Sequence, residues 1–171
     1  MATTSTRDAD FAAYMQARQP ALLRTAYLLT GDAHTAEDVV ATALAKLYLS
    51  WDKVRERESV DGYVRRIIAN ETTSLWRRPW RRREVAADVL PESGREDAYD
   101  EGRTAAVWQA VSSLPARQRA VVVLRYYEEL SEAETAEALG ISVGTVKSQA
   151  SRALATLRTN ATHLHPREEE R

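Results

Sequence analysis

Residues 130–158, LSEAETAEALGISVGTVKSQASRALATLR, contain the pattern that most constrains how this chain can fold. Ser131 and Glu134 have the S-x-x-E spacing of a capping box, which predicts that a short helix begins there. Gly140 is placed to end that helix, and Ser142 is a candidate N-cap for a second one. Two capped helices joined by so short a turn predict a helix-turn-helix.

The apolar residues of this segment agree with that prediction. Ala136 is small enough to let two helices touch, and Val146 is a branched apolar residue in the second helix. The stripe predicted to be buried on the second helix is Val143, Val146, Ala150, Leu154 and Leu157. An ordinary helical hairpin with solvated charges also fits one short match, so the charge pattern is needed to separate the two interpretations.

Charge is distributed unequally about the turn. Glutamates precede it at positions 128, 129, 132, 134 and 137, whereas Lys147, Arg152 and Arg158 follow it. The second helix, residues 142–155, is therefore predicted to be a recognition helix that lies in the major groove of DNA. Its outward positions, and so the candidate DNA contacts, are Thr145, Lys147, Ser148, Gln149, Ser151 and Arg152, with Ser142 at its start. Residues near the start are placed to reach base edges, whereas Arg152 is equally suited to a phosphate.

The rest of the chain is predicted to be helical too, so the fold class is all-α. Apolar residues recur every three or four positions, and no alternating Val/Ile/Thr run of strand type occurs. Helices are expected over about residues 8–29, 33–51 and 63–77, with a polar loop, DKVRERESV, between the second and the third.

A basic cluster, SLWRRPWRRR, ends the third of these helices. At 100° per residue its outer face collects Arg66, Asn70, Thr73 and Arg77, and Pro79 is expected to end or kink the helix. Arg78 adjoins this face, and Arg81 and Arg82 continue the positive charge beyond Pro79. Arginines interleaved with tryptophans can neutralise phosphates and stack on unpaired bases, so the cluster indicates nucleic acid. For Trp76, packing at the helix edge and contact with DNA are equally compatible with its position.

Charge also divides the chain into domains. Residues 63–83 hold seven arginines against one glutamate, a formal +6, whereas residues 84–102 hold seven acids against one arginine, a formal −6. We expect two small helical domains, residues 8–84 and 103–160, joined by a flexible acidic linker at 85–102 and followed by a disordered tail at 161–171.

Several classes of protein are not supported by the sequence. There is no cysteine, and the three histidines are not accompanied by carboxylates at metal-ligand spacing, so neither a metal nor a cofactor is expected. No nucleophile with its base and no carboxylate cluster suggests an enzyme. No apolar signal core or membrane-spanning run occurs, which predicts a cytoplasmic protein with no membrane association.

The stretches LLRTAYLLTGDAHTAEDVVATALAKLY, GYVRRIIANETTSLWRR and LPARQRAVVVLRYYEELSEAETAEALGISVGTVKSQASRALATLR resemble the bacterial extracytoplasmic-function (ECF) sigma factors, in family order from about Phe11 to Arg158. The resemblance implies that core RNA polymerase and promoter DNA are the partners. The helix 63–77 would help to open the minus-ten element, and the helix-turn-helix would read the minus-thirty-five element as duplex. It also allows an anti-sigma factor as a further partner.

The resemblance also implies roles for individual residues. The segment that docks on the clamp helices of the largest polymerase subunit would contain Glu37, Asp38, Ala41, Thr42 and Lys46. Asn70 occupies a position usual for the family, and Ser74 lies near the pocket that receives a flipped base. The family often has Gln-Glu where this chain has Ala41-Thr42, and many members have Arg where it has Gln149. Gln149 would either read an adenine edge or have no role.

A regulator that acts without polymerase is the alternative, because response-regulator output domains share the GISVGTVKS style of helix-turn-helix. It would bind duplex DNA tightly by itself, usually as a dimer. The amino-terminal half argues against it, since nothing there resembles a phosphoacceptor or ligand-binding domain.

Overall fold

The structure is a computed structural model that describes residues 4–57, 59–77 and 98–164, and its secondary structure over these residues is helical throughout. The helices are α1 (Thr4–Thr30), α2 (Ala33–Arg57), α3 (Val60–Trp76), α4 (Ala98–Ser112), α5 (Ala116–Val122), α6 (Glu132–Leu139) and α7 (Val143–Leu164), and a π-helical turn, Val123–Tyr127, continues α5. None of these helices combines the length and apolarity that crossing a membrane requires. The predicted all-α class is confirmed.

The chain separates into two compact units, Met1–Ser93 and Gly94–Arg171. In the first unit α1, α2 and α3 pack on one another, and in the second α7 packs on α4, α5 and α6. The expectation of two helical domains is therefore confirmed. Their finer boundaries, 8–84 and 103–160, stay predictions, because residues 78–97 lie outside the described part of the chain.

The loop predicted after residue 51 is wrong for residues 52–57, which continue α2. This stretch reads as polar, but it carries Val54, which is only 2% exposed, one turn beyond the buried end of the predicted helix. Arg55 Nη1 also lies 2.7 Å from Asp10 Oδ2 on α1. Cross-helix packing and pairing thus extend α2 beyond the point where its own sequence pattern fades.

Helix α4 begins at Ala98, within the segment assigned to the linker, and α7 ends at Leu164, within the segment assigned to the tail. The bounds of the linker and of the tail stay predictions. Residues 85–97 and 165–171 lie outside the described residues.

The turn between α1 and α2 is set by local hydrogen bonds. Gly31 adopts a φ of 74°, a left-handed conformation that suits glycine, and its N–H donates to the Tyr27 carbonyl at 2.7 Å. Asp32 then caps α2, since its Oδ2 accepts the Thr35 N–H at 2.7 Å. The core beneath this turn comprises fully buried residues from all three helices: Ala26, Leu29, Val40, Ala43, Leu47, Val64 and Ile68.

A carboxylate on α3 ties that helix to α1. Asp61 Oδ1 accepts the Tyr14 hydroxyl at 2.8 Å and the Arg18 Nε–H at 3.1 Å, and its Oδ2 lies 3.1 Å from Arg18 Nη2. Burial, together with the hydrogen bond to Asp61 and its charge, raises the pKa of Tyr14 well above its ordinary value of 10.0. The folded unit therefore favours the neutral phenol.

We expect Tyr14→Phe to lower the free energy of unfolding by about 1 kcal/mol near neutral pH, since it removes a hydrogen bond to a carboxylate. Because the folded-state pKa of Tyr14 is raised, its stabilisation is complete below about pH 10 and is lost as pH rises above that. The difference between wild type and variant should therefore shrink above about pH 10. Urea unfolding at about pH 8 and about pH 11 measures it. Tyr63→Phe, which removes a hydroxyl that donates to Ser50 Oγ at 3.3 Å, is the matched control. A Tyr14 difference that stays constant across this range would contradict the linkage.

The π-helical turn after α5 ends at a strained residue. Glu129 has a φ of 56°, the left-handed region that costs a non-glycine residue about 1–2 kcal/mol. The conformation is imposed by the next residue, because the Leu130 N–H donates to the Leu124 carbonyl at 2.9 Å and closes the helix end. The chain can then enter the capping box at Ser131.

Replacing Glu129 with glycine should relieve this strain. We expect Glu129→Gly to raise the free energy of unfolding by about 0.5–1 kcal/mol, net of the larger entropy of glycine in the unfolded chain. Glu128→Gly is the matched control, because Glu128 has ordinary right-handed angles and glycine should destabilise the chain there. Urea unfolding of the full chain, with amide hydrogen exchange over residues 116–139, tests both. Destabilisation by both changes would show that Glu129 is not strained.

Candidate nucleic-acid interface

The helix-turn-helix forms as its capping signals predict. The Glu134 N–H donates to Ser131 Oγ at 3.1 Å, and the Ser131 N–H donates to Glu134 Oε2 at 2.7 Å, so both halves of the capping box are present. Gly140 ends α6 with a φ of 64°, and the Ile141 N–H donates to the Ala136 carbonyl at 3.0 Å. The turn therefore has the local geometry of a helix-turn-helix.

Ser142 caps α7, as predicted. Its Oγ accepts the Thr145 N–H at 3.0 Å and lies 2.8 Å from Thr145 Oγ1. Two of the candidate DNA contacts, Ser142 and Thr145, thus hydrogen-bond to each other through their hydroxyl groups within the cap. Further along α7, Val146 and Ala153 are fully buried by the rest of the unit.

The predicted buried stripe on α7 is wrong at its first member. Val143, in the first turn of α7, is 39% exposed and so lies at the border of the buried side. Ala150, Leu154 and Leu157 are half-buried at the edge of the stripe. Ala153, which the pattern omitted, is fully buried, so the most deeply buried line on α7 runs through Val146 and Ala153.

The other candidate contacts on α7 differ in exposure. Lys147, Ser148, Ser151 and Arg152 are exposed, whereas Thr145 and Gln149 are half-buried. Lys147 Nζ lies 3.6 Å from Glu132 Oε2 on α6, so part of its charge is offset within the unit. The Ser148 hydroxyl donates to the Thr145 carbonyl at 3.0 Å. Ser151 and Arg152 complete an outward surface rich in hydroxyl groups and positive charge.

The polar strip on α3 is also only partly exposed. Asn70, Ser74 and Arg77 are exposed, whereas Arg66, Thr73 and Trp76 are half-buried. The Thr73 hydroxyl donates to the Ala69 carbonyl at 2.8 Å, and the Arg66 guanidinium lies 5.9 Å from the Tyr63 ring centre. The helix ends at Trp76, close to the predicted break at Pro79. Arg78, Arg81 and Arg82 lie outside the described residues.

The outer side of α2 holds the third predicted set of contacts. Glu37, Asp38, Ala41, Thr42 and Lys46 are all exposed. Lys46 forms an ion pair with Glu71 of α3, which ties the two helices together.

A groove between α1 and α2 borders these positions. Glu37 and Ala41 lie at the groove, whose apolar walls include Phe11, Met15 and Tyr48. The outer side of α2 is thus continuous with an apolar surface, which the sequence pattern did not indicate.

Leu49 is a residue on this face that the sequence interpretation missed. It is 81% exposed, the most exposed large apolar side chain among the described residues. Seven residues after Thr42 and eleven after Asp38, it lies within about 20° of each around the helix. The signal available in the sequence was a leucine on the same face of the helix as the polar Asp38 and Thr42.

Two family models match the chain. The one described as Sigma-70 region 2 matches residues 14–82, and the one described as Sigma-70, region 4 matches residues 104–157. The RNA polymerase sigma-E factor of Streptomyces coelicolor is 43% identical over 150 residues, which cover 87% of this chain and 84% of the relative. The chain belongs to the sigma-70 family.

Other relatives place this sigma factor in the ECF group. The ECF RNA polymerase sigma factor SigM of Mycobacterium tuberculosis is 33% identical over 143 residues, which cover 80% of this chain and 69% of the relative. The structure also resembles the sigma factor RpoE of Bartonella quintana, solved with the anti-sigma factor NepR, at 27% identity and a TM-score of 0.62 over 88% of this chain and 95% of that one. It shares its fold with CnrH, solved with the cytosolic domain of CnrY, at 22% identity and a TM-score of 0.61 over 91% and 90% of the chains.

The predicted function is thereby confirmed at the level of the family. The protein is a sigma factor that binds core RNA polymerase and directs promoter-specific initiation of transcription, and the polymerase-independent regulator is not favoured. Sigma-70 proteins are non-enzymatic initiation factors. The region 2 match falls on the unit built from α1–α3, and the region 4 match falls on the unit built from α4–α7.

Glu132 offsets part of the positive charge of Lys147, a candidate DNA contact. We therefore expect this pair to weaken the attraction of the sigma factor for DNA. We expect Glu132→Gln to raise the affinity of the holoenzyme for duplex promoter DNA up to about fivefold, since an exposed pair is worth at most about 1 kcal/mol. The slope of log affinity against log salt should steepen by about one, as Lys147 neutralises one further phosphate. A salt series of equilibrium binding measures both quantities.

Glu137→Gln is the control, because it removes the same charge from the exposed side of the same helix. Equal gains from the two variants would mean that net charge, rather than release of Lys147, sets the affinity.

Proposed function

We propose that three helices of this sigma factor have separate roles, two in promoter recognition and one in polymerase binding. The outward side of α7 reads the minus-thirty-five element as duplex, the exposed strip of α3 holds the opened minus-ten strand, and the outer side of α2 docks on core RNA polymerase. The observation that carries the proposal is the exposed surface of α7, where hydroxyl groups and positive charge lie opposite the buried Val146 and Ala153.

The proposed role of α7 follows from what its exposed side chains can bind. The major groove admits one α-helix and displays hydrogen-bond donors and acceptors that distinguish all four base pairs. The Ser151 hydroxyl can pair with either kind of group, the Ser148 hydroxyl, which donates to the Thr145 carbonyl, adds an acceptor, and Arg152 suits guanine or a phosphate. Gln149 is half-buried, so it reaches less far into the groove than these three.

The proposed role of α3 rests on a narrow strip of exposed residues. Asn70, Ser74 and Arg77 fall within about 60° of one another around the helix. An amide and a hydroxyl can pair with the edges of an unstacked base, while the guanidinium neutralises the phosphate beside it. The Thr73 hydroxyl already donates to the backbone, so Thr73 adds only an acceptor to this strip. Trp76 is half-buried at its border, and we expect the exposed part of its indole to contact an unstacked base.

The proposed role of α2 rests on the stripe formed by Asp38, Thr42 and Leu49. An apolar side chain that is 81% exposed gains most when a partner removes it from water, and such side chains anchor protein interfaces. Leu49 supplies this anchor on a face that lacks the Gln-Glu pair common in the family. Lys46 adjoins the stripe, but its ion pair with Glu71 assigns it first to the contact between α2 and α3.

Three variants separate these roles in one set of assays with core polymerase. Leu49→Ala should weaken holoenzyme formation about tenfold, the typical loss at an interface anchor. Asn70→Ala with Arg77→Ala should leave holoenzyme formation intact and reduce strand opening. Ser148→Ala with Arg152→Ala should leave both intact and abolish the dependence of binding on the minus-thirty-five sequence.

The three readings are polymerase binding by fluorescence anisotropy, permanganate reactivity of unpaired thymines, and run-off transcription. Val107→Ala, which trims an exposed valine on α4, is the control and should change none of them. A loss of polymerase binding in the α3 or α7 variant, or unchanged polymerase binding in Leu49→Ala, would contradict the division of labour for that helix.

A further inference from the structure

Val143 occupies a position that the fold does not explain. It is the first residue of α7 and is 39% exposed, although it is apolar. As a β-branched residue it also has a lower helix propensity than alanine or leucine. Packing within the unit covers only part of this side chain, and helix propensity does not favour a valine there.

Val143 is flanked by the cap of α7 and by a glycine. Ser142 and Thr145 direct their hydroxyl groups toward each other within the cap. Gly144 is exposed, and a Cβ added to it would meet nothing closer than Ser142 Oγ at 3.8 Å, so the fold itself does not require glycine at this position. The first turn of α7 thus presents one apolar side chain beside a position without any side chain.

This apolar spot borders the charged side of the helix. Val143 lies about 40° around the helix axis from Lys147, which is exposed one turn later. In a helix-turn-helix the first residues of the recognition helix come closest to the base edges. The one apolar group that base edges display in the major groove is the 5-methyl group of thymine.

We propose that Val143 is a specificity-determining residue of this sigma factor and packs its methyl groups against the 5-methyl group of one thymine in the minus-thirty-five element. The inference rests on the proposed function of α7 and adds an apolar contact to the polar and charged ones. The contact is with a base rather than with a deoxyribose, because contact with a deoxyribose would be the same at every base pair and would give no specificity.

The test is a double-mutant cycle that combines a change of the Val143 side chain with removal of the thymine 5-methyl group. Selection from randomised duplexes by the wild-type holoenzyme first supplies a promoter probe. Each thymine of its minus-thirty-five element, on either strand, is then replaced singly by deoxyuridine, which lacks only the 5-methyl group. Equilibrium binding is measured with wild-type, Val143→Ala and Val143→Ile holoenzymes, and Val107→Ala serves as the control.

At one thymine, deoxyuridine should weaken wild-type binding about fourfold, the worth of one buried methyl group. Val143→Ala should weaken binding to the thymine probe by a similar factor and should be insensitive to deoxyuridine at that position. Val143→Ile should retain the sensitivity, and Val107→Ala should behave as wild type.

Three results would overturn the inference: wild-type binding insensitive to deoxyuridine at every position, losses that multiply independently in Val143→Ala, or a selected element without an A·T pair. The wild-type series needs no variant, so the test holds even if Val143→Ala fails to fold. Ser148→Ala with Arg152→Ala separates the two proposals. If that variant loses dependence on the minus-thirty-five sequence while Val143 shows no coupling, only the inference about Val143 fails.

Discussion

The burial of Val146 and Ala153 is the constraint on which the outward surface of α7, the proposed DNA-reading side, depends. Both side chains are fully enclosed within the unit, and together they fix the rotation of α7 about its own axis. Ser148, Ser151 and Arg152, on the opposite side of the helix, are presented outward because of this burial. A rotation of one residue would move each side chain by about 100° and turn these three away from the outward direction.

Several charged side chains of the first unit link its helices. Asp61 holds Tyr14 and Arg18 of α1 against α3, and Lys46 of α2 pairs with Glu71. These pairs use charges that the sequence alone would assign to a solvated surface or to a partner. The positive charge available for DNA is therefore smaller, and more localised, than the count of lysines and arginines suggests.

The features that could be predicted depend on residues close together in the chain. The capping box at Ser131 and Glu134, the left-handed Gly140 and the cap at Ser142 each involve partners within a few positions, and each formed as expected. The features that were missed depend on distant partners. The continuation of α2 past residue 51 depends on Val54 in the core and on Asp10, and the pairing of Lys147 depends on Glu132 in another helix.

The sequence by itself determined that the chain is helical, where the capped turn of the helix-turn-helix lies and to which family the chain belongs, because periodicity, caps and motifs are encoded in neighbouring residues. The tertiary structure decided which of the candidate side chains are accessible. Val143 lies outside the core although its periodicity favours burial, and Leu49 is exposed on a face otherwise polar. Exposure is set by how far the packing of other helices extends along each helix, and no local pattern records that distance.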